Sequence, residues 1–291
     1  MKQGDLVVRK SYGGDVLFRV AAFAARQAVL RGTDYRLLAD APVEDLEKVR
    51  NPDELGETRR ARIQANESLR RFGEERARLL GRAGYSALAD RRQPFFEMPG
   101  KVLHLDGDAN YLKKSMQVYS QLKVPAEGLH CHESQMPHML MRMLPQFHPD
   151  IVVITGHDGV LKQRENLHHL SSYKNSLNFV QAVNVAREYE RNRDSLVVVA
   201  GACQSHFEAL LQAGANFASS PGRIMIHALD PVYVAVRAAF TPFRDTINIT
   251  DVIAHTISGR QGVGGIETMG RYRIGVPNLK EVQTGQNVNV L

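Results

Sequence analysis

The chain has 291 residues, of which 43% are hydrophobic and 23% are charged, and this composition is ordinary for a soluble globular protein. Its longest apolar runs fall far short of the roughly 20 residues that a membrane-spanning helix needs. The N-terminus lacks the apolar stretch of a signal peptide. We therefore expect a protein that is made in the cytoplasm and does not enter a membrane.

The cysteine content indicates the expected cellular compartment, and the net charge indicates the expected class of binding partner. Two cysteines, Cys131 and Cys203, are too few for a disulfide framework, so we expect a reducing compartment and at least one functional thiol. The net charge is +6, and much of the excess is arginine between residues 57 and 92. A basic surface favours anionic partners, but mixed Arg and Glu also describe a solvated helix face. We do not expect nucleic acid as a partner.

The first 97 residues contain two different patterns. Residues 1–50 have the short strands and turn signals of a small β module, for which an SH3-like barrel is the predicted fold. The strand-like stretches are 4–10, 15–20, 28–32 and 35–40. Residues 51–97 are rich in helix-forming Arg and Glu, which predicts a partly exposed helical linker that acts as a hinge and is open to proteolysis.

Residues 98–291 alternate strand and helix patterns, which predicts an α/β domain with a mostly parallel sheet flanked by helices. Strands are predicted at 102–105, 128–132, 151–154, 196–199 and 224–227, with a further β pair near 272–275. Helices are predicted at 111–122, 136–147, 176–191 and 205–212, and from 245 or 248 to 258.

Two strand ends carry the strongest functional signal. The apolar run 151–154 leads through Gly156 to His157, and the run ending at Val199 leads through Gly201 to Cys203. Functional residues of open parallel sheets follow the carboxyl ends of strands, so we expect His157 and Cys203 at one edge. A helix N-terminus after Cys203 would favour its thiolate. The pattern predicts a thiol nucleophile with an imidazole base, although a buried core thiol and a loop histidine remain the alternative.

The order and spacing of this pair are close to those of caspases, in which His precedes an Ala-Cys sequence by roughly 50 residues. Longer strings make the relationship more specific, and with them the chain resembles the YabG family of sporulation-specific, caspase-like cysteine peptidases. The residues that carry the resemblance are 4–5, 9–12, 15–19, 98–108, 153–158, 201–208, 216–221 and 226–233. The resemblance implies a caspase-like fold and no cofactor. It also implies protein substrates of the spore coat and cortex, cleavage beside basic residues, and self-cleavage. The implied location is the mother cell or forespore of a sporulating bacterium, in association with the spore coat.

Backbone N–H groups at the two turns are candidates for an oxyanion hole. The candidate oxyanion or orienting residues are Gly156, Asp158, Gly159 and Ala202. Caspase-like peptidases usually have Gly directly after the catalytic His, whereas Asp158 intervenes here, so the donor is Gly159, Asp158 or neither. Asp158 either orients His157 or shapes its loop.

The loop after the first core strand is the candidate specificity pocket. Carboxylates at Asp106 or Asp108 suit a substrate Arg or Lys, because a guanidinium pairs bidentately with a carboxylate. The alternative for Asp108 is that it caps the following helix. His132 and Gln204 are further substrate-binding candidates. We predict no metal at 130–133, since no second pair of ligands stands at a zinc-like spacing.

A non-catalytic function is the competing hypothesis. In it, the basic N-terminal module and the Arg-rich helix bind nucleic acid or acidic coat proteins, and the α/β domain is a scaffold. The sequence leaves the oligomeric state open.

Overall fold

A computed structural model of the chain describes residues 1–52, 55–82, 96–161 and 166–275. The N-terminal region is a five-stranded antiparallel sheet in the order β4-β3-β2-β1-β5. Its strands are β1 (Leu6–Arg9), β2 (Phe18–Ala24), β3 (Gln27–Gly32), β4 (Leu38–Pro42) and β5 (Leu46–Lys48). Alternate apolar residues such as Phe18, Val20 and Leu30 are buried in its own small core. The predicted strand at 35–40 was placed too early, because residues 33–37 leave the sheet as a loop.

The Arg-rich stretch forms the long helix α1 (Gly56–Arg82), and residues 83–92 of the predicted helix lie outside the described residues. One side of α1 is anchored to the α/β region. Phe72 is buried in the main core, and the Ser68 hydroxyl donates a hydrogen bond to the His255 carbonyl at 3.0 Å. The helix is therefore exposed only in part.

The C-terminal region is an α/β unit built on a six-stranded sheet in the order β13-β11-β10-β9-β7-β8. All neighbouring pairs in this sheet are parallel except β11 with β13. The strands are β6 (Phe96–Met98), β7 (Val102–Asp106), β8 (Ala126–His130), β9 (Ile151–Thr155), β10 (Val197–Ala200), β11 (Phe217–Ser219), β12 (Thr246–Ile247), β13 (Val263–Gly265), β14 (Thr268–Met269) and β15 (Arg273–Gly275). The helices are α2 (Ala109–Leu122), α3 (Met136–Phe147), α4 (Ser176–Tyr189), α5 (Phe207–Ala213), α6 (Asp230–Phe240), α7 (Ile249–His255) and α8 (Gly259–Gly262).

Both faces of the sheet are covered, as the continuous apolar strands predict. In β9, Ile151 and Val153 pack into one core with α2, α6 and α7, while Val152 and Ile154 pack into the other with α3, α4 and α5. The predicted α/β class and the mostly parallel sheet are confirmed. Each helix in the described part of the chain is too short or too polar to span a bilayer.

In the second half of the chain, one predicted strand was wrong and one helix was missed. Residues 224–227 are not a strand of the main sheet, whose next strand after β10 is β11. Helix α6 was not predicted, because nearly all of its residues are buried and it has no polar face to reveal a helical period. The predicted β pair near 272–275 is real, and β15 finds its partner in β6.

Candidate active site

The carboxyl ends of β7, β9 and β10 bring three loops to one edge of the sheet. Asp106 pairs in register with Thr155, and Ile154 pairs with Ala200. The Thr155 hydroxyl donates to the carbonyl of Gly201 at 2.9 Å, which ties the loop after β9 to the loop after β10. His157 and Cys203 lie in these neighbouring loops, at the edge where the strand pattern places them.

His157 is fixed on three sides. Its Nε2 lies 3.0 Å from Asp108 Oδ2, so the ring N–H donates to that carboxylate. Its backbone N–H donates to Glu133 Oε1 at 2.8 Å, and its carbonyl accepts from Asn175 Nδ2 at 2.8 Å. Within the described part of the chain, the buried Nδ1 has no hydrogen-bond partner. The ring is thus oriented through one nitrogen and leaves the other available to a reacting group.

Asp108 caps the following helix, as the capping alternative predicts, and it also binds two side chains of the protein. It caps α2 by accepting from the backbone N–H groups of Asn110 and Tyr111, and it pairs with Arg31 Nε at 2.9 Å. Burial by itself raises a carboxyl pKa, but the His157 hydrogen bond, the Arg31 charge and the Asn110 N–H outweigh it and lower the pKa of Asp108 to about 2. The carboxylate is therefore charged at neutral pH, and its partners are intramolecular.

Cys203 is buried, with 2% of its surface exposed. Its sulfur accepts a hydrogen bond from the Ile226 backbone N–H at 3.2 Å. Burial raises the pKa of the thiol to about 11, although the Ile226 N–H and the Arg36 charge act in the opposite direction. The predicted help from a helix N-terminus is not found, because α5 begins only at Phe207. Cys203 is therefore a neutral thiol at neutral pH.

The residue after the cysteine connects the loops. Gln204 has a left-handed backbone conformation with φ of 54°. Its backbone N–H lies 3.1 Å from both the Ile224 carbonyl and the Ser220 hydroxyl, and its side-chain oxygen accepts from the Val160 N–H at 3.4 Å. Gln204 therefore links the loop after β9 to the segment that follows β11.

Asp158 organises the loop backbone. Its carboxylate accepts from the N–H groups of Gly159 and Asn175 and from the hydroxyls of Ser176 and Ser205. Burial still raises the pKa of Asp158 above its ordinary value. The imidazole of His157 is held by Asp108, so Asp158 shapes the loop in this structure.

The other oxyanion candidates all make contacts within the protein. The Gly159 N–H donates to Asp158 Oδ1 and the Ala202 N–H donates to the Ser205 hydroxyl, both at 2.9 Å. Gly156 lies against Glu133, where an added Cβ would come within 2.5 Å of Glu133 Oε1. The N–H groups of Gly159 and Ala202 are thus engaged in internal hydrogen bonds, and Gly156 is required for space.

Asp106 is fully buried and forms a bidentate ion pair that the sequence did not reveal. Arg36 Nη1 and Nη2 each lie 2.9 Å from one of its two oxygens. Arg36 is equally buried and also donates to the Ala228 carbonyl at 3.0 Å. Burial alone would raise the pKa of Asp106, but Arg36 and His104 hold it below its usual value. No local pattern connects Arg36 to a residue 70 positions away.

The cluster at 130–133 is divided between surface, site and core. The His132 side chain is 71% exposed, whereas Glu133 is buried and supports His157. Cys131 packs in the core, where burial raises its pKa to about 11. Among the described residues, no three His, Cys, Asp or Glu side chains are grouped to hold a metal ion. Glu133 was missed as a site residue, since nothing in the sequence relates it to His157.

Comparisons with known proteins agree on one family. Residues 2–277 match the family model described as YabG peptidase U57. The sporulation-specific protease YabG of Bacillus subtilis (strain 168) is 44% identical over 281 residues, which cover 94% of this chain and 97% of that protein. No solved structure gives a significant match.

Proposed function

The chain belongs to the YabG peptidase family, and we propose that it is a cysteine endopeptidase of sporulation with Cys203 as nucleophile and His157 as general base. One observation carries this assignment. His157 is held through Nε2 by the charged Asp108, its Nδ1 has no hydrogen-bond partner among the described residues, and its loop is tied to the loop of Cys203. A base held by an orienting carboxylate, in a loop tied to the loop of the thiol, supports a role in covalent catalysis.

The reaction begins with a neutral thiol, because burial raises the pKa of Cys203 to about 11. Nδ1 of His157 takes the thiol proton as the sulfur attacks the carbonyl carbon of the substrate. The protonated imidazole then gives that proton to the leaving amine as the C–N bond breaks, which leaves a thioester on Cys203. Water, deprotonated by His157, attacks the thioester, and the carboxylic acid product and the thiol are released. Asp108 stabilises the protonated imidazole throughout.

The preferred substrate has a basic residue before the cleaved bond. The support is that Asp106 already binds the buried Arg36 bidentately, and that the backbone of Ile226 bonds both Arg36 and the Cys203 sulfur. Arg fits such a site better than Lys, since its planar fork matches both oxygens. The natural substrates are proteins of the spore coat and cortex, an assignment that rests on the family resemblance.

Self-cleavage belongs to the same proposal. The predicted sites between residues 57 and 92 lie partly in α1 and partly at 83–92, outside the described residues. Binding by strand addition requires an extended peptide, so the arginines of α1 would need local unwinding before they are cut in this way.

The test compares the intact protein with Cys203→Ala and His157→Ala, each incubated alone and with an unstructured Arg-containing protein, followed by intact mass. We expect fragments cut after Arg from the unaltered protein and none from either variant. Cys131→Ala, which removes the other buried thiol, is the matched control and should keep activity. Continued cleavage by Cys203→Ala would refute the thiol assignment.

A further inference from the structure

The loop at residues 33–37 leaves the N-terminal sheet between β3 and β4 and lies in the candidate active site. It is closed by a hydrogen bond from the Gly32 N–H to the Leu37 carbonyl at 2.8 Å. The hydroxyl of Tyr111 in α2 lies 2.6 Å from the carbonyl oxygens of both Gly32 and Tyr35. Gly32 is needed at this closure, because a Cβ there would lie 2.4 Å from the Tyr35 carbonyl oxygen.

The backbone of this loop pairs with the segment that contacts the cysteine sulfur. The Arg36 N–H donates to the Ile226 carbonyl at 3.2 Å, and the Ala228 N–H donates to the Asp34 carbonyl at 2.7 Å. Tyr35 and His227 form the antiparallel bridge between these bonds. Addition of a short extended segment to an unpaired strand is a common way for a protein to bind a peptide. Residues 34–36 are therefore bound as a peptide ligand would be.

The side chain of Arg36 fills the pocket formed by Asp106, the Ala228 carbonyl and the Tyr111 ring. The centre of that ring lies 5.0 Å from the guanidinium carbon of Arg36. A fully buried ion pair gives little net stability, since the loss of hydration offsets the attraction. A bidentate carboxylate site for arginine close to Cys203 is therefore better explained by recognition of an arginine than by stabilisation of the fold.

We propose that residues 33–37 are an internal ligand of the active site, and that Arg36 occupies the pocket that receives the basic residue of a substrate. The loop and a substrate then compete for one site, and a substrate binds only after the loop has been displaced or cut. This inference rests on the proposed function, because it takes Asp106 as the specificity residue beside Cys203.

The test is a binding measurement in the full chain carrying Cys203→Ala, so that no peptide bond is cut. The probe is acetyl-Asp-Tyr-Arg-amide, which repeats residues 34–36, and acetyl-Asp-Tyr-Ala-amide is the control peptide. Affinity is measured by isothermal titration calorimetry with and without Arg36→Ala. Arg26→Ala is the matched control, because Arg26 is an exposed arginine in the turn at the other end of β3.

We expect Arg36→Ala to bind the arginine peptide at least about tenfold more tightly, since an occupied pocket weakens the apparent affinity by the fraction of open molecules. Arg26→Ala should leave the affinity unchanged, and the alanine peptide should bind none of the variants. Should Arg36→Ala fail to fold, Tyr111→Phe replaces it, because it loosens the loop while keeping the ion pair, and we expect a smaller gain. Equal affinity with and without Arg36, or no arginine-dependent binding to any variant, overturns the proposal.

The cleavage assay separates this failure from a failure of the proposed function. Cleavage after Arg by the intact enzyme, together with equal peptide affinities, would refute the internal ligand alone. Absence of both cleavage and arginine-dependent binding would refute the proposed function as well.

Discussion

Buried aspartates at the end of β7 and at the start of α6 have pKa values shifted in opposite directions. At the ends of β7, Asp106 and Asp108 face Arg36, Arg31 and His157, and the pKa of each lies below its ordinary value. At the start of α6, Asp230 accepts its hydrogen bonds from neutral donors, the backbone N–H groups of Ile257 and Ser258. Burial raises the pKa of Asp230 to about 6 in spite of these bonds.

Burial is similar in the two regions, so the difference comes from the charge of the partners. Neutral donors do not compensate for the lost hydration of a carboxylate, whereas a guanidinium does. Asp106 and Asp108 thus stay charged in a dry environment, as a site for a basic side chain requires. Asp158 in the neighbouring loop has only neutral donors, and burial raises its pKa as it does that of Asp230. Four predictions test this contrast.

The largest expected effect follows from removing the charge of Asp106. Asp106→Asn leaves Arg36 buried without its counter-charge, and we expect a loss of about 3–5 kcal/mol in the free energy of unfolding, measured by chemical denaturation. The double variant Asp106→Leu with Arg36→Met is the control and should recover most of the loss. A loss below about 1 kcal/mol for Asp106→Asn would contradict a closed pocket, because Arg36 would then reach water at little cost.

Asp230 should stabilise the folded protein more at low pH than at neutral pH. Its pKa is about 6 in the folded state and near 3.8 in the unfolded state, so the folded state binds the proton more tightly. Its contribution to stability is present below pH 4 and is lost as the pH rises to about 6, by about 3 kcal/mol. The measurement is the unfolding free energy of the unaltered protein minus that of Asp230→Asn from pH 4 to pH 7. A difference that stays constant over this range would contradict the prediction.

Asp108 should affect turnover more than binding. Asp108→Asn removes the charge that orients His157, and we expect kcat to fall about 100-fold with little change in KM, in a peptide cleavage assay. Asp45→Asn is the control, since Asp45 is also a hydrogen-bonded carboxylate but lies in the N-terminal module. A rise in KM at constant kcat would instead place Asp108 in substrate binding.

The smallest effect on the unfolding free energy is expected at the ion pair between α1 and β6. Arg76 and Glu97 form an ion pair at 2.7 Å, but both side chains reach solvent. Glu97→Gln should cost less than about 1 kcal/mol in the unfolding free energy. A cost as large as that of Asp106→Asn would mean that exposure does not separate the two kinds of ion pair.

The sequence allowed much of the sheet edge to be predicted. Apolar runs that end in glycine located β9 and β10, and parallel pairing then placed His157 and Cys203 at one edge. The capping alternative for Asp108 is observed because it depends on only the next few residues. The family resemblance is confirmed by the comparisons.

Interactions between distant segments could not be predicted. The apolar run at 224–227 indicated an extended backbone, but not that its partner is the loop at 33–37 rather than the main sheet. The pairs of Arg36 with Asp106 and of Glu133 with His157 join residues 70 and 24 positions apart. No periodicity or motif encodes such contacts, which depend on how distant segments pack.

The position of Arg36 early in the chain has a consequence for biosynthesis. Ribosomes make β3 and the loop at 33–37 well before β10 and Cys203, and N-terminal segments fold first when folding accompanies synthesis. The loop is therefore ready when the last strands of the sheet assemble beside it. Under the proposal that Arg36 is an internal ligand, a newly made molecule would complete its fold with this arginine in place, and neighbouring nascent proteins would meet a filled site.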